Sequence, residues 1–377
     1  MIDTIILKVA SRCNLSCTYC YEYASGDQSW RTKPRLLSVE AAEMLGDRIR
    51  ECTRDGSPGF INVVLHGGEP LLAGHGPFEQ IVMALVDHAG RDRIRLHLQT
   101  NGMLLDDAWC ALLARFDIQV GISLDGDATA NAARVDHRGQ PSWERTVAGI
   151  SLLKRTAPHL FSGLLCVVDP RNDPRSVLTT LLGFSPPTLD LLQPFITHDM
   201  VDDDSRAIVE RFGQWMIDAT TFWLSRPEWH GTRVRYVEDA MKAVAGIKPK
   251  SDWFGQRGVT YLIVESDGRY DLQDQLKVIG ATSGAVREVR GSVFDTPFAD
   301  AYADARLRAD HLQVDRLPEG CAACQWRVGC SGGFVPTRYS STRGFDNPST
   351  YCAGLQSYFA YLDVVLKASY TTSAPAA

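Results

Sequence analysis

Apolar runs of strand length alternate along the chain with segments in which apolar residues recur at helical spacing. This pattern predicts strands alternating with helices through about the first 230 residues. Short apolar runs of strand length occur at residues 5–9, 60–65, 94–99, 118–124, 164–168 and 189–195. Apolar positions at helical spacing occur at residues 78–89, 107–113, 143–154 and 206–224, and a further helix begins after Ser38, which is a plausible N-cap. Because apolar strands that alternate with helices form parallel sheets, the pattern predicts an α/β protein built on a partial (β/α)6 barrel of the TIM type.

The pattern changes after about residue 236, where short strand-like runs replace the regular alternation. A strand is predicted at 260–264 and is followed by an Asp-Gly turn, a helical stretch at 295–307, a cysteine-rich loop and a final helix at 353–367. The sequence therefore predicts a barrel domain over residues 1–235, a smaller α+β domain over 236–370 and a disordered tail over 371–377.

Residues that carry chemistry cluster where the predicted strands end. The strand ends are followed by a cysteine loop, Gly67-Gly68-Glu69-Pro70, Asn101, and the Ser123–Asp125 stretch, in that order. Because the carboxyl ends of barrel strands meet on one face, we expect these separated stretches to converge on one active site.

Charge and hydropathy exclude two classes of partner. The 377 residues contain 39 Lys and Arg against 45 Asp and Glu, so the net charge of −6 lacks the basic excess of a nucleic-acid binder. No apolar run reaches the ~18 residues of a membrane span, and the amino end is not a signal peptide. We therefore expect a cytoplasmic protein without a membrane or nucleic-acid partner.

The ten cysteines fall into three sets. Cys52, Cys110 and Cys166 are scattered singly along the chain and are expected to be small buried hydrophobic residues. Cys13, Cys17 and Cys20 form a C-x3-C-x2-C run on the loop after the first strand. Three thiolates suit a [4Fe–4S] cluster with one iron left open; the alternative is a zinc site completed by a ligand from a distant part of the chain. The third set, near the carboxyl end, comprises Cys321, Cys324, Cys330 and Cys352.

The cysteine run resembles the cluster motif of radical S-adenosylmethionine (SAM) enzymes, and the later motifs match that family in order over about residues 4–200. The resemblance implies that the three cysteines hold a [4Fe–4S] cluster whose open iron binds SAM. It also implies that Tyr19 lies against the adenine and that a carboxylate, Glu69, binds the methionine amino group. The other implied SAM contacts are Gly67, Gly68, Pro70, Asn101, Ser123, Asp125 and Arg134. Asn131-Ala132 departs from the residues that the family usually has before that arginine.

The carboxyl-terminal cysteines resemble those of a SPASM domain, which occurs in radical enzymes that modify peptides. The resemblance implies an auxiliary [4Fe–4S] cluster held by Cys321, Cys324, Cys330 and Cys352, with structural zinc as the alternative. Phe334 stands where that family usually has another cysteine, and the stretch up to Asp274 lacks the cysteine that normally follows the Asp-Gly turn. The first auxiliary cluster of a full SPASM domain is therefore expected to be lost, which leaves two [4Fe–4S] clusters in all.

This truncated pattern is similar to FxsB-type maturases, which form cyclophanes in ribosomally made peptides. The implied function is removal of a Cβ hydrogen from a precursor peptide by a 5′-deoxyadenosyl radical, followed by a C–C crosslink to an aromatic ring. Asp274 is the candidate base for the ring proton, with Asp271 as the second candidate and a solvated turn carboxylate as the alternative. The implied partners are the precursor peptide and a one-electron donor such as flavodoxin or ferredoxin.

Other functions stay open at this stage. Anaerobic sulfatase maturases, which oxidise Ser or Cys to formylglycine, share the radical SAM core, and other SPASM enzymes form thioethers or epimerise residues. A non-catalytic iron–sulfur or zinc scaffold would have no reason to keep Glu69 at a strand end, and a tRNA-modifying enzyme would need a basic face. Because the chain opens directly at the first strand, we expect no separate leader-binding domain ahead of it.

Overall fold

The computed structural model describes residues 2–56, 58–254, 260–271, 273–283, 290–304 and 316–372. Within these residues the strands β1–β9 are Thr4–Ala10, Ile61–Gly67, Ile94–Thr100, Gln119–Ser123, Phe161–Val167, Thr188–Leu192, Arg233–Val234, Tyr261–Val264 and Tyr270–Asp271. The helices α1–α12 are Tyr21–Ala24, Val39–Cys52, His75–Ala89, Asp107–Arg115, Trp143–Thr156, Pro174–Gly183, Asp203–Leu224, Arg235–Val244, Asp274–Ser283, Phe298–Ala303, Arg327–Cys330 and Cys352–Thr372.

The six predicted strands occur as β1–β6, and at least one helix follows each of them in the chain, which confirms the α/β class and its strand–helix repeat. Ser38 caps α2 as predicted, because its hydroxyl accepts a hydrogen bond of 3.0 Å from the Ala41 amide. Helix α12 extends to Thr372, into the predicted tail; residues 373–377, and residues 305–307 of the predicted helix at 295–307, lie outside the described residues.

The chain forms two compact units, and neither is a continuous segment. One unit contains residues 1–124, 131–165 and 260–308, and the other contains 125–130, 166–259 and 309–377. Residues 260–304 therefore pack with the amino-terminal strands although they come from the other end of the sequence. The predicted division into 1–235 and 236–370 stays a prediction.

The first unit is built on a sheet in the order β5-β4-β3-β2-β1-β8-β9, in which all neighbours except β8 and β9 are parallel. Alternate residues of β1 and β2 are fully buried, among them Ile5, Leu7, Val63 and Leu65. Helices α2 and α3 pack against each other and carry fully buried apolar residues of their own. The parallel pairing of β1, β2 and β3 places their carboxyl ends, which carry the candidate site, side by side.

The second unit has a core rich in aromatic rings. Tyr236 of α8 lies at its centre, with ring centroids 5.3 Å from Phe254 and 6.0 Å from Phe212. Strands β6 and β7 pair in parallel in this unit. None of the helices in the described ranges has the length and apolar character needed to cross a membrane.

The three isolated cysteines differ in exposure. Cys110 and Cys166 are buried, as predicted for small hydrophobic residues. Cys52, the last residue of α2, is only half-buried, so the prediction is wrong for this position. The end of a helix leaves one side of its last turn open to solvent, which a local apolar pattern does not reveal.

Candidate active site

The cysteine loop runs from the end of β1 to the start of α1. Its backbone is anchored by hydrogen bonds from the Ser16 amide to the Val135 carbonyl, 2.7 Å, and from the Thr18 amide to the Ala133 carbonyl, 3.1 Å. Cys20 is the N-cap residue of α1, and the backbone amides of Tyr23 and Glu22 in the first turn lower the pKa of its thiol. These contacts hold three half-buried thiols on one short loop.

Burial makes these thiols poor thiolates on their own. It raises the pKa of Cys13 to about 12 and that of Cys20 to about 11, and the neighbouring thiols add to the rise. Thiolate is the form that binds a metal, and a bound cation stabilises it. The donor set therefore fits a positively charged centre such as an iron–sulfur cluster.

The Gly67-Gly68-Glu69 turn is held against the end of β1. The Gly68 amide donates to the Ala10 carbonyl and the Glu69 amide donates to the Arg12 carbonyl, both at 2.9 Å. A Cβ on Gly67, whose φ is +128°, would lie 2.1 Å from the Ala10 carbonyl oxygen. A Cβ on Gly68 would lie 2.1 Å from the Tyr23 hydroxyl and 2.5 Å from the Arg12 backbone. Both glycines are required by the packing of the two strand ends, whatever else they contact.

We expect Gly68→Ala to lower the free energy of unfolding by ~1–3 kcal/mol, because the added methyl group overlaps backbone that cannot move aside. Gly76→Ala is the matched control, since a Cβ there meets no atom within 4 Å and the position is helical. Anaerobic urea unfolding of the two variants measures the difference. Equal stability would contradict this account of the glycine pair.

Glu69 is fully buried and its carboxylate connects β2 to β3. Oε1 accepts hydrogen bonds from the Leu71 amide, 3.0 Å, and the Thr100 hydroxyl, 2.8 Å, and Oε2 accepts one from the Asn101 amide, 2.8 Å. Burial raises the pKa of Glu69, and these donors oppose the rise. The carboxylate is thus fixed in orientation at the point where the strands end.

The other residues that are predicted to contact SAM differ in the partners that their side chains bind. Asn101 donates to the Asn14 side chain at 2.8 Å, which ties the end of β3 to the cysteine loop. Arg134 donates to the Tyr19 hydroxyl at 2.8 Å, and its charge lowers the pKa of Glu69.

The Ser123 hydroxyl accepts a hydrogen bond from the Gln99 side chain at 2.8 Å. Pro70 is buried where a short 3-10 helix begins. Asp125 belongs to the second unit, where its carboxylate accepts from the Val167 amide at 3.0 Å. The structure thus brings the ends of β1, β2 and β3 together as predicted.

A buried network of lysines and carboxylates, which the sequence did not predict, adjoins α1 and α9 in the first unit. The lysine–carboxylate network comprises Lys8, Lys33 and Lys277 with Glu22, Asp27, Glu265, Asp271 and Asp274. Lys8 Nζ lies 2.8 Å from both Glu22 and Asp274, and Lys277 Nζ lies 2.9 Å from Glu265. The one feature of the sequence that could have indicated this network is Lys8, a lysine inside the apolar run of β1.

Asp274 is the first residue of α9 and is 7% exposed, so it is not a solvated turn carboxylate. Burial raises its pKa to about 6, although Lys8 opposes the rise. Oδ2 binds Lys8, while Oδ1 is buried without a hydrogen-bond partner among the described residues. Asp271, the second candidate, lies 3.7 Å from Lys33 and 3.8 Å from Lys277. Asp274 is therefore a buried carboxylate that is paired at one oxygen and has no hydrogen-bond partner at the other among the described residues.

The four carboxyl-terminal cysteines line one cavity in the second unit. The cavity is lined by Cys321, Cys324, Cys330 and Cys352 together with Trp326 and Phe359. Burial raises the pKa of Cys330 to about 12. In the described part of the chain, no group of three or more His, Cys, Asp or Glu side chains is arranged to hold a single metal ion. Four thiols spread around a cavity form a donor set that fits a multi-atom cluster.

Phe334 occupies the position where a further cysteine was expected from the SPASM resemblance. It is buried in the second unit, and its ring centroid lies 4.9 Å from that of Trp253. The side chain therefore serves as an apolar packing residue, and the loss of the first auxiliary cluster stays a prediction.

Comparison with known proteins identifies the first part of the chain. Residues 7–178 match the family model of the radical SAM superfamily. The serine-type anaerobic sulfatase-maturating enzyme of Klebsiella pneumoniae is 27% identical over 87% of this chain and 80% of its own length. The cysteine-type enzyme of Clostridium perfringens (strain 13 / Type A) is 24% identical over 96% of both chains. The solved structure "Native anSMEcpe with bound AdoMet and Cp18Cys peptide" is 21% identical, with a TM-score of 0.82 over 98% of this chain and 99% of that one.

Proposed function

We propose that this radical SAM enzyme, whose residues 7–178 match the family model, oxidises a side chain of a ribosomally made precursor peptide. The proposed product is a crosslink between a Cβ atom and an aromatic ring. The observation that carries the proposal is Asp274, a buried carboxylate with one oxygen that has no hydrogen-bond partner among the described residues, in the same compact unit as the cysteine loop and Glu69. Similarity to maturases over nearly the whole chain supports a peptide as substrate.

We assign Cys13, Cys17 and Cys20 to a [4Fe–4S] cluster that binds SAM. When bound, the cluster and SAM supply a carbon radical that can remove a hydrogen atom from an unactivated Cβ. Glu69 is assigned to the methionine amino group, because a carboxylate fixed by three donors is a ready acceptor for an ammonium. Arg134 is assigned to the methionine carboxylate.

The remaining residues that are predicted to contact SAM are assigned supporting roles around it. Tyr19 lies beside Arg134 and is assigned to the adenine. Gly67, Gly68 and Pro70 shape the turn that presents Glu69, while Asn101, Ser123 and Asp125 supply polar groups at the ends of β3 and β4. By holding the ligand in one orientation, these residues would limit which hydrogen the radical can reach.

Asp274 is assigned as the base that takes the ring proton when aromaticity is restored. Lys8 holds Oδ2 at 2.8 Å, and Oδ1, which has no hydrogen-bond partner among the described residues, is the oxygen assigned to accept the proton. A pKa of about 6 keeps the carboxylate ionised at neutral pH while it remains basic enough to accept a proton. Asp271 is less suited, because two lysines lie within 3.8 Å of its carboxylate.

The four cysteines around the cavity are assigned to an auxiliary [4Fe–4S] cluster, whose chemistry is to accept the electron released as the ring is restored. The proposal needs a one-electron donor such as flavodoxin or ferredoxin for the SAM-binding cluster. It also needs a reducing compartment, the cytoplasm, because none of the ten cysteines forms a disulfide.

A second candidate function is oxidation of Ser or Cys to formylglycine. It is favoured by the names of the two relatives, both of which are sulfatase-maturating enzymes. The two functions share removal of a Cβ hydrogen and the use of a base. For the crosslink, the Cβ radical would add to an aromatic ring, which then loses one electron and one proton. For formylglycine, the Cβ radical would lose one electron and the OH or SH on that carbon its proton, giving C=O, or C=S that water hydrolyses.

The test incubates the reconstituted enzyme with two sets of peptides: aromatic-containing precursors encoded beside the gene, and Ser- or Cys-containing sulfatase peptides. We expect the first set to lose two hydrogens and to give tandem mass spectra in which fragmentation stops between the joined residues. An aldehyde trapped by a hydrazide from the second set alone would replace the crosslink proposal with formylglycine formation. SAM cleavage without change in either set would contradict both.

A further inference from the structure

We propose that the indole N–H of Trp326 donates a hydrogen bond to the auxiliary cluster and thereby raises the reduction potential of that cluster. The inference rests on the proposed assignment of Cys321, Cys324, Cys330 and Cys352 to the cluster. It gives a role to a residue that none of the sequence motifs includes.

Trp326 lies in the wall of the cysteine cavity, on the short segment that joins two of the proposed ligands. It directly precedes helix α11, and its carbonyl accepts a hydrogen bond of 2.8 Å from the Cys330 amide. The amide of the next residue, Arg327, donates to the Cys324 carbonyl at 3.1 Å. Hydrogen bonds to both neighbouring cysteines therefore fix the backbone around Trp326.

The indole nitrogen of Trp326 is a buried donor, and it has no hydrogen-bond partner among the described residues. A buried tryptophan usually finds an acceptor for this N–H, because an unpaired buried donor costs ~1–3 kcal/mol. The adjacent ring of Phe359, whose centroid lies 5.8 Å from that of Trp326, supplies at most a weak acceptor through its face. The donor is therefore expected to find its acceptor in the group that the cavity holds.

The sulfurs of this cavity already accept one side-chain donor. Gln356, which also lines the cavity, donates from Nε2 to the Cys352 sulfur at 3.4 Å. Both residues belong to α12, where a spacing of four positions places side chains on the same face. A hydrogen bond from Trp326 to a cluster sulfur uses the same acceptor chemistry and pairs the buried indole donor.

The effect on the potential follows from the dipole of the N–H group. One-electron reduction adds a negative charge to the cluster, and no bond forms or breaks. An N–H donor stabilises the more negative state more than the less negative one, and hydrogen bonds to the sulfurs are among the factors that set cluster potentials. In the proposed function the electron comes from the ring whose aromaticity is restored, so Trp326 makes the cluster a better acceptor for that electron.

The test isolates the auxiliary cluster in the full chain by combining Cys13→Ala, Cys17→Ala and Cys20→Ala. Tryptophan labelled with ¹⁵N in the indole ring is incorporated, and the reduced cluster is examined by electron–nuclear double resonance. We expect a ¹⁵N coupling that disappears in Trp326→Phe and persists in Trp223→Phe. Trp223 is the matched control: its Nε1 is also buried without a partner among the described residues, but it is not among the described residues that line the cavity.

The reduction potential gives a second readout in the same background. We expect Trp326→Phe to shift the ratio of oxidised to reduced cluster about tenfold toward the oxidised form, which equals a potential lower by about 59 mV. Trp223→Phe should leave the potential unchanged. Redox titration followed by electron paramagnetic resonance measures both variants.

A missing ¹⁵N coupling in cluster-containing protein that retains Trp326 would overturn the inference and leave the N–H to the ring of Phe359, while the cluster assignment would stand. An unchanged potential in Trp326→Phe would overturn it as well. If Trp326→Phe does not assemble the cluster, the labelled protein with Trp326 in place decides, because Trp326 is the one tryptophan among the described residues that line the cavity. If iron analysis finds no cluster at the four cysteines, the auxiliary assignment and this inference both fail.

Discussion

Replacing Asp274 with asparagine is expected to lower formation of the oxidised peptide by about 10²–10⁴-fold, while cleavage of SAM continues. Asparagine keeps the shape of the side chain and its contact with Lys8 but cannot accept the ring proton. Liquid chromatography with mass spectrometry measures both products in one reaction, namely 5′-deoxyadenosine and the modified peptide. If 5′-deoxyadenosine still forms while the modified peptide does not, the base is missing. If neither product forms, the site is misfolded.

Asp271→Asn is the matched control, because it removes a carboxylate from the same lysine–carboxylate network. We expect it to retain most of the peptide oxidation. If Asp274→Asn oxidised peptide at the full rate, Asp274 would be removed from the mechanism, and a loss in Asp271→Asn alone would transfer the role to that residue.

The pH dependence of the unmodified enzyme gives a second readout of Asp274. Because burial raises the pKa of Asp274 to about 6, the base is ionised above that pH and protonated below it. Peptide oxidation should therefore fall as the pH decreases through about 6, without a matching fall in SAM cleavage. The charged and titratable groups that face Asp274 are Lys8, Lys277, Glu22, Glu265 and Tyr21, and the pair with Lys8 has the largest opposing effect.

Lys8→Met is expected to lower the free energy of unfolding by ~3–5 kcal/mol, because it removes the ammonium from two buried carboxylates. Lys8 is 2% exposed, and Glu22 and Asp274 each lie 2.8 Å from its Nζ. Methionine nearly matches the volume of lysine, so the loss reports the uncompensated negative charge and not a cavity. Urea unfolding under anaerobic conditions measures the difference.

Lys367→Met is the control for this prediction. Lys367 also pairs with a carboxylate, Asp363 at 2.6 Å, but its side chain is 73% exposed. Solvent screening makes such surface pairs worth little, so we expect a change within ~1 kcal/mol. Equal losses in the two variants would show that the buried network contributes no more than a surface ion pair.

The sequence predicted the parts of the fold that depend on local pattern. The six strands, the cap at Ser38 and the helices that follow the strands came from hydrophobic spacing, because burial of one face imposes that spacing directly. Convergence of the Glu69 and Asn101 stretches at the strand ends followed from the parallel arrangement. The hydrogen bond between them, from the Asn101 amide to the Glu69 carboxylate, is consistent with that arrangement.

The rest depended on contacts between distant parts of the chain. Residues 260–304 join the amino-terminal unit, and no local signal marks that return. The lysine–carboxylate network contains ion pairs between residues up to 266 positions apart. Apart from Lys8, which lies in the apolar run of β1, its members look like ordinary surface charges in the sequence. Asp274 was therefore identified by resemblance, while its burial, its helix and its pairing with Lys8 became visible only in three dimensions.

The central claim is that Cys13, Cys17 and Cys20 hold an iron–sulfur cluster with a coordination position open to SAM. The direct measurement reconstitutes the protein anaerobically, adds dithionite and SAM, and quantifies 5′-deoxyadenosine beside the cluster spectrum. We predict that the nucleoside forms and the spectrum changes on adding SAM, that Cys17→Ala abolishes both, and that Cys52→Ala abolishes neither. Zinc at these three thiols, or a cluster whose spectrum is indifferent to SAM, would contradict the account.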